Sequence, residues 1–217
     1  MNIDISQFKT LIFDCDGVIL DSNKVKSRAF YNAAFPYGKN EAEELVTYHK
    51  NNGGISRYVK FEYFLKNIVG VEVMKKNLDL LLVSYALEVH SGLKNCQVSK
   101  GLKTLRKSTE SNWLIASGGD QNELRDVFNH RHLNNYFDGG IFGSPDSKEL
   151  ILLREIDNNN IKYPALFLGD SKYDHEAAKS INCNFVFISQ WTDFENWEEY
   201  CLLNNVENVA SVSDLIN

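Results

Sequence analysis

No two cysteines stand at CxxC spacing: Cys15, Cys96, Cys183 and Cys201 are scattered along the chain. This argues against a zinc or disulfide framework and for reduced thiols in a cytoplasmic protein. Basic charge is also short. The 23 Lys and Arg against 29 Asp and Glu leave a formal net charge of −6, which argues against nucleic acid or an anionic membrane surface as the main partner but leaves room for a local basic pocket. Long apolar runs are missing. The most apolar later stretch, Leu78 to Leu87, contains Asp79 and Ser84 and is far too short to span a bilayer. Met1-Asn2-Ile3-Asp4 has neither the basic nor the apolar region of a signal peptide. His175 has no second histidine at metal spacing, and His130-Arg131-His132 reads as ordinary helix-end residues. Repeats and low-complexity tracts are absent. A chain of 217 residues with 43% hydrophobic content holds one full α/β domain with a smaller insertion.

The chain is organised around Phe13-Asp14-Cys15-Asp16-Gly17. Thr10 to Phe13 is short, apolar and branched or aromatic, as in a strand buried on both faces of a parallel sheet. Ligands bind at the carboxyl ends of such strands, so Asp14 and Asp16 stand at the mouth of a site. Two acids so close repel one another when both are ionised, which implies a bound cation or a shared proton. Strand alternation turns Cys15 away from them.

Asp-x-Asp-Gly after a first strand resembles the first motif of the haloacid dehalogenase superfamily of phosphatases and phosphomutases. The resemblance implies that Asp14 is the nucleophile and Asp16 a general acid/base. Its dehalogenase branch needs neither the second Asp nor magnesium, so Asp16 argues against that branch.

After Asp21-Ser22-Asn23 the apolar spacing turns helical and stays so to about Leu93, punctuated by Pro36, Gly38, Gly53-Gly54, Gly70 and Gly92. About four helices are expected. Residues 21–91 match the helical cap of the resembled family, with 1–20 and 92–217 as its α/β core. Within the insert, Gly53-Gly54-Ile55-Ser56-Arg57 allows close backbone approach, and Arg57 suits bidentate capture of a phosphate or carboxylate. Gly54 and Arg57 are therefore candidate substrate-binding residues; an equal reading is a helix capped by Ser56 with Arg57 in solvent. The loop also resembles that of the sugar phosphomutase branch.

Four more strands follow. Trp113 to Ala116 ends in Ser117-Gly118-Gly119-Asp120, where a hydroxyl and glycine N–H groups leading into a helix make an anion site. Asp120 with Glu123 has capping-box spacing. Gly140 to Gly143 leads to Asp146 and Glu149, again at capping-box spacing, which puts Lys148 in a first helical turn against the dipole unless an anion is near. Ala165 to Leu168 precedes Asp170 and Asp174. Phe185 to Ile188 is expected to complete the sheet. By resemblance, Ser117 hydrogen-bonds the transferring phosphoryl group with Gly118 beside it, and Lys148 neutralises nucleophile and phosphate. Here Ser147 and Glu149 flank that lysine, where many relatives have proline. The resemblance also assigns Mg²⁺ to Asp14, the Asp16 main-chain carbonyl and Asp170, with Asp174 a weaker or outer ligand.

The expectation is a doubly wound parallel sheet, Rossmann-like, with a helical cap after its first strand. Its activity would be Mg²⁺-dependent hydrolysis of a small phosphomonoester, a sugar, polyol or amino-alcohol phosphate, through an aspartyl phosphate. A sugar phosphomutase is the alternative enzyme, and a binding module without activity is disfavoured by the intact acids and Lys148. The partner would be a small phosphorylated metabolite, not nucleic acid or membrane, met by a monomer or weak dimer.

Overall fold

The computed structural model describes residues 3–216; Met1 and Asn2, on which part of the signal-peptide reading rests, lie outside them. Six parallel strands form one sheet in the order β3-β2-β1-β4-β5-β6. They are β1 Thr10–Phe13, β2 Asn112–Asp120, β3 Gly140–Ser144, β4 Ala165–Gly169, β5 Asn184–Ile188 and β6 Glu207–Val209. β1 lies between β2 and β4, with Phe13 in register with Ile115 on one side and Leu168 on the other. Every residue of β1 and β4 is buried, as an all-parallel sheet covered on both faces requires.

Alternation divides the core. Leu11 and Phe13 join Trp113 and Ile115 on one face, while Ile12, Leu114 and Phe167 pack on the other against Ile151, Leu152 and Ala177. The first face is aromatic: the Phe13 ring centroid lies 4.7 Å from that of Trp113 and 5.6 Å from that of Phe137. At about 1.5–3 kcal/mol for each fully buried large side chain, these two layers hold the strand ends in place.

Between β1 and β2 the chain makes a helical excursion through α1 Asn23–Ala34, α2 Lys39–Asn51, α3 Arg57–Tyr63 and α4 Lys75–Asn95. α1 packs on both α2 and α4, its buried stripe being Lys26, Ala29, Phe30, Ala33 and Ala34. The excursion leaves and returns as a ribbon. Leu20 and Val98 form an antiparallel bridge, the Asp21 N–H donates to the Gln97 carbonyl at 3.0 Å, and the Ser99 N–H donates to the Ile19 carbonyl at 2.8 Å. After it, α5 Leu102–Ser108, α6 Gln121–His130, α7 Lys148–Asp157, α8 Lys172–Ser180 and α9 Trp197–Asn204 alternate with the remaining strands.

The structure corrects several local expectations. Gly92 breaks nothing: it lies inside α4, where a side chain would collide with Val25, so close packing and not a turn requires it. Ser147 instead of Asp146 caps α7, accepting from the Leu150 N–H, while Asp146 pairs with Arg154. β5 does not complete the sheet, because Glu207–Val209 adds β6 at its edge. Among the described residues, no helix is long and apolar enough to cross a membrane.

Candidate active site

The carboxyl ends of β1 and β4 are adjacent, and that adjacency assembles the acids. Asp14 follows β1, its N–H donating to the Leu168 carbonyl at 2.9 Å. Asp170 follows β4, and Asp174 enters on the first turn of α8. One carboxylate oxygen from each of Asp14, Asp170 and Asp174 falls within 4.8 Å of the others, and all three residues are buried. Gly17 makes room for this grouping: its φ is +77°, and a Cβ there would stand 2.0 Å from Asp170 Oδ2. No other residue tolerates both demands.

Lys148, fully buried, opposes these acids. Its Nζ lies 3.0 Å from Asp14 Oδ1 and donates to Asp174 Oδ1. Burial works against its charge, but Asp14 and Asp174 hold its pKa well above the ordinary lysine value. One lysine does not balance three acids. Burial first, and then the neighbouring Asp174 and Asp16, push the Asp14 carboxyl up to about 7 against the pull of Lys148. Burial and Asp14 push Asp170 well above the carboxylate range. Asp14 Oδ1 receives no well-directed hydrogen bond. A buried, under-neutralised set of hard oxygen donors with an open lone pair fits a magnesium ion. Asp174 has less to offer it: one oxygen faces Lys148, and the other accepts from Ser171 Oγ at 2.6 Å in the box that caps α8.

Asp16 points elsewhere. Its carboxylate accepts from Ser22 Oγ at 2.6 Å and from Lys26 Nζ. Burial alone would raise its pKa, but Lys26 and these hydrogen bonds bring it below the ordinary value. Ser117 is buried inside β2, which runs on to Asp120, and its Oγ accepts from the Gly119 N–H at 3.0 Å, so one of the two glycine N–H groups expected to face an anion is already engaged. A Cβ on Gly118 would lie 2.0 Å from the Gly54 carbonyl oxygen; these glycines meet because the 53–57 loop lies directly on the β2 end.

Arg57 differs most from the sequence reading. It is not in solvent: its guanidinium is buried, ion-paired through one nitrogen with Glu123 at the start of α6, lies 4.7 Å from the Tyr85 ring centre and still borders the cavity described below. Tyr58 adds a second tie, donating to Asp120 Oδ2 at 2.9 Å. Asp120 does cap α6, accepting from the N–H groups of Asn122 and Glu123, but the Glu123 carboxylate serves Arg57.

Between the strand ends and the helices of the excursion lies a cavity of about 220 Å³ reached by Asp14, Asp16, Lys26, His49, Lys60 and Arg57. Lys26, His49 and Lys60 were not singled out by sequence reasoning and Glu123 was read only as a capping-box partner, although the lysines carried a signal: each interrupts an apolar helical stripe, Lys26 beside Ala29 and Phe30, and Lys60 beside Phe61 and Phe64. Asn23 and Thr192 were also missed. Asn23 Nδ2 donates to Asp170 Oδ2 at 3.0 Å, and Thr192 Oγ1 donates to the Asp170 carbonyl at 2.6 Å. Through Thr192, the segment after β5 helps to hold Asp170.

The family model for haloacid dehalogenase-like hydrolases matches residues 11–188. The chain belongs to this family. As a haloacid dehalogenase-like hydrolase it is an enzyme, and its likeness to solved members extends over nearly the whole chain. A predicted phosphatase of Clostridium acetobutylicum has a TM-score of 0.74 at 20% identity, with 97% of each chain covered. A beta-phosphoglucomutase of Clostridium difficile has a TM-score of 0.72 at 20% identity, covering 95% of this chain and 92% of that one. A predicted phosphoglycolate phosphatase of Haemophilus somnus has a TM-score of 0.67 at 17% identity, covering 85% and 86%. At these identities the likeness is one of fold. No curated protein matches the sequence.

Proposed function

We propose that this hydrolase is a Mg²⁺-dependent phosphatase of small phosphomonoesters, with the helices of the excursion closing over the site as a cap. The observation that carries this reading is the Asp14 carboxylate. It stands at a strand end on a cavity, with an oxygen that accepts no well-directed hydrogen bond and a buried ammonium beside it. A carboxylate so placed is a nucleophile for phosphorus.

Asp14 and Asp170, with the Asp16 main-chain carbonyl, would hold the metal, which supplies charge neutralisation at the phosphoryl oxygens. Asp14 attacks phosphorus and becomes an aspartyl phosphate as the P–O bond to the alcohol breaks. Lys148 and the Ser117 hydroxyl offset the phosphoryl charge. Asp16, having taken up a proton with the arriving substrate, gives it to the leaving oxygen; it then takes a proton from the water that attacks phosphorus, and the P–O bond to Asp14 breaks to release inorganic phosphate and free Asp14. Lys26 keeps Asp16 ionised in the free protein, and a phosphoryl group arriving beside it raises its proton affinity. Phosphomutase action would need a second phosphate anchor, and the Arg57 that sequence reasoning offered for it is committed to Glu123; this favours hydrolysis. All four cysteines are free, in keeping with a reducing, cytoplasmic setting.

The test is free-phosphate release from a panel of phosphomonoesters with Mg²⁺ and with excess chelator, followed together with isomer formation. Phosphate release that needs Mg²⁺ and disappears in folded Asp14→Asn is expected. Full activity in chelator, or isomerisation outpacing phosphate release, refutes the assignment.

A further inference from the structure

Of the buried cations around the cavity, three already have carboxylate partners: Lys26 has Asp16, Arg57 has Glu123, and Lys148 has Asp14 and Asp174. Lys60 is as deeply buried, 1% exposed, yet among the described residues it pairs with no carboxylate. It donates instead to His49 Nδ1 at 2.7 Å, with the His49 carbonyl at 3.5 Å. Its third N–H is left over, and the Phe30 ring centre 5.5 Å away is its other support.

The contact also sets the imidazole. Burial, reinforced by Lys60, holds His49 neutral, its pKa well below the ordinary value. Because Nδ1 accepts from Lys60, the ring proton sits on Nε2. That N–H is buried and unpartnered. A buried donor without an acceptor costs about 1–3 kcal/mol, and here two donors on adjacent side chains, one carrying positive charge, share the deficit on one cavity wall. Burial and Lys26 pull the Lys60 ammonium down to about 7, as expected of a cation whose counter-charge is missing. Both residues belong to the helical excursion and line the cavity that Asp14 and Asp170 reach.

We propose that Lys60 and His49 receive an anionic group on the leaving-alcohol side of the substrate, so that the preferred substrates are phosphomonoesters bearing a carboxylate or a second phosphate. This rests on the phosphatase reading, which places the transferring phosphoryl group at Asp14. It narrows that reading: a neutral polyol leaves both donors unmet, and an amino alcohol brings a cation to a cation.

The experiment separates binding from turnover. Calorimetric titration compares ω-carboxyalkyl and ω-hydroxyalkyl phosphonates of two to five carbons, which resist hydrolysis, on Mg²⁺-loaded wild type, Lys60→Met and His49→Gln. The carboxylated member should bind wild type about 10- to 100-fold more tightly than its hydroxyl counterpart, the size of a charged hydrogen bond. That ratio should fall to near one in Lys60→Met and shrink in His49→Gln. Alkane bisphosphonates in the same titration identify a second phosphate as the preferred anion if they exceed the carboxylates. A wild-type ratio near one for every anion, or a ratio that survives in Lys60→Met, overturns the inference, and the first of these needs no variant to fold. Phosphate release from the corresponding phosphate esters is read separately. Phosphate release without anion preference removes the dyad and leaves the phosphatase, whereas anion-selective binding without phosphate release removes the phosphatase and leaves the dyad as a binding site.

Discussion

Replacing Lys148 by Met removes the only cation that, among the described residues, contacts Asp14 and Asp174 and leaves three buried carboxylates within 4.8 Å of one another. Breaking a buried pair by removing one partner costs about 3–5 kcal/mol, because the remaining charge keeps its desolvation cost without compensation. For a chain of this size each kcal/mol corresponds to about 2–4 °C in Tm, so metal-free Lys148→Met should melt about 6–20 °C below metal-free wild type. Added Mg²⁺ should recover part of the loss, since a ligand at 100 times its Kd contributes about 2.7 kcal/mol, and the gain should be larger in the variant than in wild type. Differential scanning calorimetry with chelator and with Mg²⁺ measures all four values. Phosphate release should be lost in the variant under both conditions. A metal-free Tm within 2 °C of wild type, or an equal Mg²⁺ response in the two proteins, would refute the view that Lys148 and the metal divide the neutralisation of these acids.

Gly17→Ala should fold but lose Mg²⁺ affinity and at least about 100-fold in kcat/KM, because its Cβ would stand 2.0 Å from Asp170 Oδ2; metal titration against activity checks this. Arg57→Ala and Glu123→Gln should each raise KM more than they lower kcat, and the double variant should be little worse than either single one, with a coupling of about 1–3 kcal/mol in a double-mutant cycle. Additive effects would mean that the two residues act apart. Burial pulls the Lys60 ammonium in the folded protein down to about 7, from an ordinary lysine value of 10.5. The unfolded chain therefore binds more protons between these values, and stability should climb as pH rises through 7. Relative to Lys60→Met, metal-free wild type should gain on the order of 1 kcal/mol per pH unit from 7 to 9 in urea denaturation.

The strands were legible because an all-parallel sheet demands runs buried on both faces, and Leu11-Ile12-Phe13, Leu114-Ile115-Ala116 and Leu166-Phe167-Leu168 answer that demand locally. The acids were legible for a related reason: a carboxylate next to such a run has no packing role. β6 was not, since Glu207–Val209 is short, largely exposed and strand-like only because β5 offers an open edge. Nor was the fate of Arg57. Its partner Glu123 comes from another helix far along the chain, and nothing local distinguishes an arginine awaiting a substrate from one already paired. Lys26, His49 and Lys60 were hidden in helices whose periodicity averages over a single polar residue, so that their convergence on one cavity emerges only from the packing of α1, α2 and α3.

The ribbon at Leu20 and Val98 has an evolutionary reading. Everything between Asp21 and Gln97 leaves and rejoins the sheet at one hydrogen-bonded crossing, so recombination at that crossing could exchange the entire segment as a cassette without altering a register in the sheet. Under the assignments above, such an exchange would carry Lys60, His49 and Arg57 away together with Ser22, Asn23 and Lys26, the partners of Asp16 and Asp170, and leave Asp14, Lys148 and Asp170 behind. New substrate preferences could then arise by splicing, provided that the incoming segment again supplies partners for Asp16 and Asp170.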